Sequence, residues 1–213
     1  MDVIARDPFL AASRIATDLA LGTEVAARWG EESACAGMTV GGLAHHLVSQ
    51  VGNTVRLVAA APADQAPIPL LEHYQGASWT SAAHGDDVNV AIREGSDRDA
   101  AGGPAALGPV VDDLLARLPE VLGSHDLLEP VLIPWQGWAL TVHDWLVTRE
   151  MEIVVHSDDL AASVDLPTPE FPDAVLTPVL DLLTRLAVRR HGQAALVRAL
   201  SRPQRAPASV SAF

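Results

Sequence analysis

The stretch TREMEIVVHSDDL, Thr148–Leu160, decides the fold prediction. Ionisable side chains interrupt a run of apolar residues at the spacing of an amphipathic helix. On a helix that advances about 100° per residue, Glu152, His156 and Asp159 fall on one narrow stripe, which Arg149 and Trp145 share. A Glu/His pair at i and i+4 brings its donor atoms close enough to chelate one cation. The stretch therefore predicts a helix that carries two metal ligands.

Other residues of this helix fall off the stripe. We expect Glu150 and Asp158 to be solvated surface charges. His143 lies on the face opposite Glu152, so it cannot join the same metal. An ordinary ion pair between Glu152 and His156 remains the alternative, because such pairs are common on helix surfaces. A metal site requires a third ligand from another helix.

The segment GGLAHHLVSQVGN, Gly41–Asn53, offers that ligand. At helical spacing His46 shares a stripe with Gly42, Ser49, Gln50 and Asn53. This stripe is unusually polar for a helix that forms part of a core, whereas His45 points about a quarter turn away. A lone helical histidine is more often a packing residue than a ligand. Together with Glu152 and His156, however, the polar stripe favours a shared site.

The remaining histidines and the single cysteine give weaker signals. We expect solvated imidazoles in loops or at helix ends for His73, His84, His125 and His191. Cys35 is expected to be a small buried hydrophobic residue rather than part of the site. It can form no intramolecular disulfide, which suits a reducing cytosol. The sequence has no Gly-rich nucleotide-binding loop, no nucleophile elbow and no paired Cys-x-x-Cys.

Helical spacing dominates the rest of the chain and predicts an all-α fold with four long helices. The expected bounds are 9–29, 40–58 with Thr39 as its cap, 107–122 and about 139–164. A long crossover between the second and third helices contains a shorter helix at 86–94. A further helix is expected over 173–200 before an irregular tail, and Val131–Pro134 is the one strand-like stretch. Such bundles build sites from side chains on facing helices.

Length and charge limit the domain organisation and the partners. The 213 residues fit a metal-binding four-helix bundle over residues 1–166, with a C-terminal helix and irregular tail packed on it over residues 167–213. The net charge of −13 argues against nucleic acid and acidic membrane surfaces as partners, since both require a basic face. No apolar run is long enough to span a membrane and no signal-peptide pattern occurs, so we expect a cytoplasmic protein. A homodimer is one candidate assembly.

The two histidine-containing segments resemble the DinB/YfiT-like metal-binding superfamily, in particular the N-terminal domain of actinobacterial mycothiol-dependent maleylpyruvate isomerase. That branch shows Trp-Thr-Val-x-Asp-x-x-x-His-Leu, which Thr39, Val40, His46 and Leu47 match. It also shows Arg-x-x-Glu-x-x-x-His-x-x-Asp-Leu, which Arg149, Glu152, His156, Asp159 and Leu160 match. Met38 and Gly42 stand where the pattern has Trp and Asp. The resemblance extends over residues 9–164.

The resemblance implies a DinB-like four-helix bundle in which His46, Glu152 and His156 bind a metal that is usually zinc. Two imidazoles and one carboxylate leave a fourth position open, as in catalytic zinc sites. Zinc with an open position can lower the pKa of a bound thiol, and the family's thiol is mycothiol. The implied activity is that of a zinc- and mycothiol-dependent transferase or isomerase acting on a small electrophile. Arg149 would hold a substrate carboxylate or orient Glu152, and Asp159 would orient a ligand.

Three points modify this interpretation. The isomerase has a second, C-terminal domain that helps to bind its acidic substrate, whereas residues 167–213 are expected to form one helix and a tail, so we expect an electrophile other than maleylpyruvate. The same donor set also suits Fe(II), as in oxygen-activating enzymes with two histidines and one carboxylate. A non-enzymatic module that binds a metal or small molecule in the bundle is a further alternative.

Overall fold

The computed structural model describes residues 6–80 and 86–213, and α-helices dominate both ranges. The α-helices are α1 (Arg6–Ala20), α2 (Thr23–Ala27), α3 (Val40–Val58), α4 (Leu70–Gly76), α5 (Asp87–Asp99), α6 (Pro104–Gly123), α7 (Val142–Ser163), α8 (Asp173–His191) and α9 (Gln193–Ser201). One antiparallel hairpin, β1 (Pro130–Ile133) and β2 (Trp138–Thr141), precedes α7. No helix in the described ranges is both long and apolar enough to cross a lipid bilayer. His84 lies outside the described residues.

Four of these helices form a bundle. Helix α3 packs on α6 and α7, and α1 packs on the same two helices. Their apolar stripes meet in one core, in which Phe9, Leu43, Leu118 and Trp145 are fully buried. Burial of each such side chain contributes about 1.5–3 kcal/mol to stability. The predicted all-α DinB-like bundle is confirmed.

The predicted long crossover connects α3 to α6, and its described residues, 59–80 and 86–103, include α4 and α5. Helix α5 packs along α3 and runs to Asp99 rather than to the expected Glu94. Asp97 attaches it to α3, because its Oδ1 accepts hydrogen bonds from the backbone nitrogen of Thr39 at 3.0 Å and from its Oγ1 at 2.6 Å. Thr39 is the predicted N-cap of α3, and its Oγ1 accepts from Gly42 N at 2.9 Å.

The first turn of α3 requires glycine for close packing. A Cβ atom at Gly42 would lie 2.0 Å from Asp97 Oδ1, and one at Gly41 would lie 2.5 Å from the indole ring of Trp29. Real Cβ atoms do not approach that closely. A carboxylate from α5 thus occupies the space where the side chain of residue 42 would begin, at a position where the family pattern has Asp.

The hairpin corrects the predicted start of the long helix. Helix α7 begins at Val142 rather than near Ala139, because β2 pairs with β1 and Gly137 turns the chain between them with φ 80°. Thr141 then caps the helix by accepting a hydrogen bond from Asp144 N at 3.0 Å. A short apolar run cannot be assigned to strand or helix from periodicity alone, so the pattern predicts only the β1 half of the hairpin.

Two other predicted helices are each interrupted at a glycine. The stretch expected as one helix over 9–29 forms α1 and α2, with Gly22 as the N-cap of α2. The stretch expected over 173–200 forms α8 and α9, because Gly192 between them adopts φ 83°. That left-handed conformation suits glycine and ends a helix.

Helix α8 and the end of the chain cover the outer face of α7. Helix α8 packs on α7 and α1. The apolar residues of this second cluster include Tyr74, Val147, Met151, Val179, Leu182 and Leu186. The ring of Phe213 packs against them, with its centroid 5.9 Å from that of Tyr74. Helix α7 is consequently enclosed by α1, α3 and α8.

Candidate metal centre

The three side chains predicted as ligands lie together between α3 and α7. One donor atom from each of His46, Glu152 and His156 lies within 4.8 Å of the other two. Glu152 Oε2 is 3.2 Å from His156 Nε2, and the rings of His46 and His156 meet edge to face with centroids 4.9 Å apart. The i, i+4 spacing on α7 sets the first contact. The packing of α3 on α7 brings in His46.

These donors line a cavity of about 870 Å³. Its wall also includes Met38, Gln50, Ile92, Trp135 and Arg149, from α3, α5, α7 and the segments beside them. The volume falls within the range of about 300–1,000 Å³ that is usual for small-molecule sites. The donors therefore face a space in which a small molecule can reach them.

The ionisation of two donors suits a divalent cation. Burial, followed by the charge of His156, lowers the pKa of His46 to about 4, so this imidazole is neutral at pH 7. Burial alone would raise the pKa of Glu152, but the hydrogen bond with His156 and the charge of Arg149 lower it to about 2. A neutral imidazole and an ionised carboxylate are the forms that bind metals.

The neighbours of His46 favour one position for its ring proton. The buried hydroxyl of Ser96 donates to Ile92 O at 2.9 Å, which leaves its oxygen lone pairs toward His46 Nδ1, 3.5 Å away. The amide nitrogen of Gln50 lies 3.3 Å from His46 Nε2. Both contacts are compatible with a proton on Nδ1 and a lone pair on Nε2, which is the arrangement of a metal-binding histidine.

Asp159, which the resemblance suggests as an orienting residue, contacts His156. Its Oδ2 accepts from His156 Nδ1 at 3.0 Å, which turns Nε2 toward Glu152. Burial alone would lower the pKa of His156, but hydrogen bonds with Asp159, Cys35 and Glu152 raise it well above 6.5. The imidazole is therefore protonated between the two carboxylates.

Arg149 lies at the cavity wall and is held by several groups. Its Nη1 donates to Gln50 Oε1 at 2.6 Å, and its Cζ lies 4.6 Å from the ring centroid of Trp145. Its Nη2 is 4.0 Å from Glu152 Oε1. A charge-assisted hydrogen bond and a cation–π contact thus fix the guanidinium beside the donors.

Glu150 is buried, which corrects the prediction of a solvated surface charge. The residue is 3% exposed, and its Oε1 has no hydrogen-bond partner among the described residues. Burial raises its pKa to about 8. Because three helices pack on α7, Glu150 is covered by protein although it lies off the site stripe. Asp158 is exposed as predicted and accepts a hydrogen bond from Thr168.

His73 corrects a second prediction, since it is neither in a loop nor solvated. It lies in α4, is 3% exposed and lines the cavity. Its Nδ1 accepts a hydrogen bond from Trp138 Nε1 at 3.0 Å, and burial, followed by the charge of Arg149, lowers its pKa to about 4. His191 ends α8 and His125 lies in the loop after α6, as expected, but both residues are half-buried rather than solvated.

Cys35 is half-buried at the site, whereas the sequence predicts a core residue. Its Sγ lies 3.2 Å from Asp159 Oδ2, to which it donates, and 3.9 Å from His156 Nδ1. Cys35 and Ser96 both contact the predicted ligands from outside α3 and α7. No local spacing in the sequence signals either contact, because Ser96 is 50 residues from His46 and Cys35 is 121 residues from His156.

Comparison with known proteins identifies the family. A family model described as the mycothiol maleylpyruvate isomerase N-terminal domain matches residues 10–161. No match was found among curated proteins or among solved structures. The matched range includes the bundle helices almost completely and contains His46, Glu152 and His156. The chain therefore belongs to the family of the mycothiol maleylpyruvate isomerase N-terminal domain, within the DinB-like superfamily.

Proposed function

We propose that this protein is a metal-dependent enzyme that uses a low-molecular-weight thiol, mycothiol, to transfer or isomerise a small electrophile. One observation carries the proposal: the donor atoms of His46, Glu152 and His156 converge within 4.8 Å on the wall of a cavity of about 870 Å³. Membership of the family supports the choice of thiol. The cavity volume supports a small thiol and a small electrophile as its occupants.

His46, Glu152 and His156 would hold the metal, which we propose to be Zn²⁺. Two imidazoles and a carboxylate match the ligand sets of catalytic zinc, which retain a fourth position for a non-protein ligand. An ion held by these residues would supply the positive charge that lowers the pKa of a thiol toward neutral pH. The low pKa of Glu152 and of His46 supports this assignment, because neither residue needs to lose a proton at pH 7 to act as a ligand.

The neighbouring residues would position the ligands and the electrophile. Asp159 accepts the Nδ1 proton of His156, so that this ring would bind the metal through Nε2 after the Nε2 proton is released. The Ser96 oxygen, 3.5 Å from His46 Nδ1, would orient Nε2 of His46 toward the site in the same way. Arg149 would bind an anionic group of the electrophile. Its guanidinium is already fixed by Gln50 and Trp145, so the Arg149 side chain would lose little further conformational entropy on binding.

The same proposal extends to the domain organisation, the partners and the cellular compartment. Residues 1–166 would form the metal-binding bundle, and residues 167–213 an extension that supports α7 from outside. The net charge of −13 supports small-molecule partners over nucleic acid. A single cysteine that lies near donors supports a reducing compartment such as the cytoplasm.

Elemental analysis of protein purified without added metal tests the metal assignment. The comparison is made in a Cys35→Ser background, which removes the thiol beside the donors. We expect one zinc ion per chain in Cys35→Ser and in the control with His45→Ala added, and loss of zinc when His46→Ala is added instead. Circular dichroism should show the same helix content in all three proteins. Full metal occupancy in Cys35→Ser with His46→Ala would contradict the ligand assignment, and iron in place of zinc would favour the Fe(II) alternative, since the donor set suits both ions.

A turnover assay with mycothiol and a panel of small carboxylated electrophiles tests the chemistry. Wild type and His45→Ala should consume thiol and electrophile together, and His46→Ala should not. Wild-type protein that binds either compound but never converts the pair would instead favour a non-enzymatic binding module.

A further inference from the structure

A second group of metal-binding donors lies on the other side of the His156 ring. The Sγ of Cys35 is 3.2 Å from Asp159 Oδ2 and 3.9 Å from His156 Nδ1, and these last two atoms are 3.0 Å apart. In a tetrahedral zinc site, with Zn–S at about 2.3 Å and Zn–N or Zn–O at about 2.0–2.2 Å, such ligands are about 3.3–3.6 Å apart. The observed separations scatter around that range. Small movements of the three side chains would therefore place them around one ion.

The loop that carries Cys35 is anchored to α7 by hydrogen bonds. Ala34 N donates to Ser163 Oγ at 2.9 Å, and the same hydroxyl donates to Asp159 O at 2.6 Å. Ser33 Oγ accepts from Cys35 N at 3.2 Å. The thiol is consequently held in a fixed position relative to the Asp159 carboxylate. The loop would therefore lose little further conformational entropy when these two residues bind a metal.

The chemistry of this donor set differs from that of the first. A thiolate is a soft ligand and selects soft or borderline cations such as Cu⁺, Cd²⁺ and Zn²⁺, whereas carboxylate and imidazole alone discriminate less. Cys35 and His156 both line the cavity, so an ion can reach them from solvent. The thiol gives up its proton when it becomes a ligand.

We propose that Cys35, Asp159 and His156 form a second, thiophilic metal site. A neutral imidazole has only one lone pair, so His156 can serve either this set or the set with His46 and Glu152. Binding of a soft cation at Cys35 would then remove a ligand from the first site, a consequence that rests on the proposed function of that site. The protein would respond to soft metal ions through a single shared histidine.

Cobalt(II) spectroscopy tests the second site separately from the first. Because Cys35 is the only cysteine in the sequence, a sulfur-to-cobalt charge-transfer band can arise from no other residue. His46→Ala breaks the first donor set and leaves the second intact, so we expect the band from the first equivalent of cobalt. Adding Cys35→Ser should abolish the band and weaken cobalt binding by more than the roughly 10–100-fold that loss of an orienting partner costs. Asp158→Asn, in the same His46→Ala background, is the matched control and should change neither.

Several outcomes would overturn the proposal. A His46→Ala protein that binds cobalt without the band, or fails to bind it, shows that the second set is no site. Thermal unfolding of each variant with a chelator present separates loss of binding from loss of fold, and Glu152→Gln replaces His46→Ala if the latter does not fold. Wild-type protein that retains no zinc while His46→Ala gives the band would contradict only the proposed function.

Competition between the sites has its own test. When cadmium is titrated into the zinc-loaded wild-type protein, the amount of zinc released should increase in proportion to the cadmium–thiolate absorption. In zinc-loaded Cys35→Ser the same titration should show no such absorption. If wild-type chains that show this absorption retain zinc as well as cadmium, then His156 is not shared between the two sites.

Discussion

The side chain of Gln50 connects α3 to Arg149 on α7, the two helices that carry the candidate metal donors, because Arg149 Nη1 donates to Gln50 Oε1 at 2.6 Å. The nitrogen of the same amide donates to the His46 carbonyl oxygen at 2.9 Å and lies 3.3 Å from His46 Nε2. A single buried amide thus fixes the arginine on α7 while it contributes to the surroundings of the histidine on α3.

Replacing this amide should destabilise the protein. In Gln50→Met the arginine loses its acceptor in a largely buried position, and the free energy of unfolding should fall by about 1–3 kcal/mol. Gln50→Glu retains an acceptor and should recover part of the loss. Urea denaturation at pH 7 measures both variants. Equal losses in the two would show that the hydrogen bond to Arg149 is not the cause.

Removing the Ser96 hydroxyl should weaken metal binding without altering the fold. Ser96→Ala leaves His46 Nδ1 without its acceptor, and loss of such an orienting partner lowers metal affinity by about 10–100-fold. Ser96→Thr keeps the oxygen and should restore affinity. Ser124→Ala is the control, since Ser124 Oγ makes a similar bond to Glu120 O at 2.7 Å far from the site. Competition with a chromophoric chelator measures the affinity, and an unchanged value in Ser96→Ala would contradict the assigned role.

Replacing two glycines of α3 with alanine should change the free energy of unfolding in opposite directions. Gly42→Ala places a Cβ atom 2.0 Å from Asp97 Oδ1, so the free energy of unfolding should fall by about 1–3 kcal/mol as α5 is displaced. At Gly52 the added Cβ would meet Leu114 Cδ1 at 3.6 Å, an ordinary contact, and stability should rise by about 0.5–1 kcal/mol. Thermal unfolding of both variants checks the pair. A stabilised Gly42→Ala would mean that Asp97 is not tied to the first turn of α3.

Glu150 should make the stability of the protein depend on pH. Burial raises its pKa from 4.5 to about 8, so between these values the folded chain holds a proton that the unfolded chain has released. Its contribution to stability is therefore complete below pH 4.5 and is lost as the pH rises toward 8, by at most about 1.4 kcal/mol per pH unit.

Glu150→Gln should remove this dependence. The variant should be more stable than wild type near pH 8 and show no such advantage near pH 4. Urea denaturation at several pH values compares it with Asp158→Asn, which changes an exposed acid on the same helix and should retain the wild-type slope. A wild-type protein whose stability rises steadily from pH 5 to pH 8 would contradict a buried, protonated Glu150.

The parts of the site that could be predicted from the sequence are those set by one helix. Glu152 and His156 are four residues apart on α7, and helical geometry alone brings their donor atoms together. His46 could be predicted because it lies on a polar stripe of a helix that is otherwise apolar. The fold class follows for the same reason, since periodic apolar stripes identify the bundle helices wherever they are long.

The parts that could not be predicted depend on contacts between distant segments. Ser96, Cys35 and His73 reach the site from α5, from a loop and from α4, and their positions follow from packing rather than from local spacing. For Glu150 the sequence led to a wrong prediction, that of a solvated side chain, rather than to none. The rule that acids lie on the surface holds for Asp158, and it fails for Glu150 because α1, α3 and α8 cover much of α7.

The crossover between α3 and α6 supplies His73, Ser96 and other residues of the cavity wall, but none of the three donors His46, Glu152 and His156. Divergence within this one segment can therefore change the cavity wall while the three donors are inherited intact, provided that Ser96 and Asp97 keep their contacts with α3. New specificities in this family could then arise by replacing the crossover rather than by rebuilding the bundle.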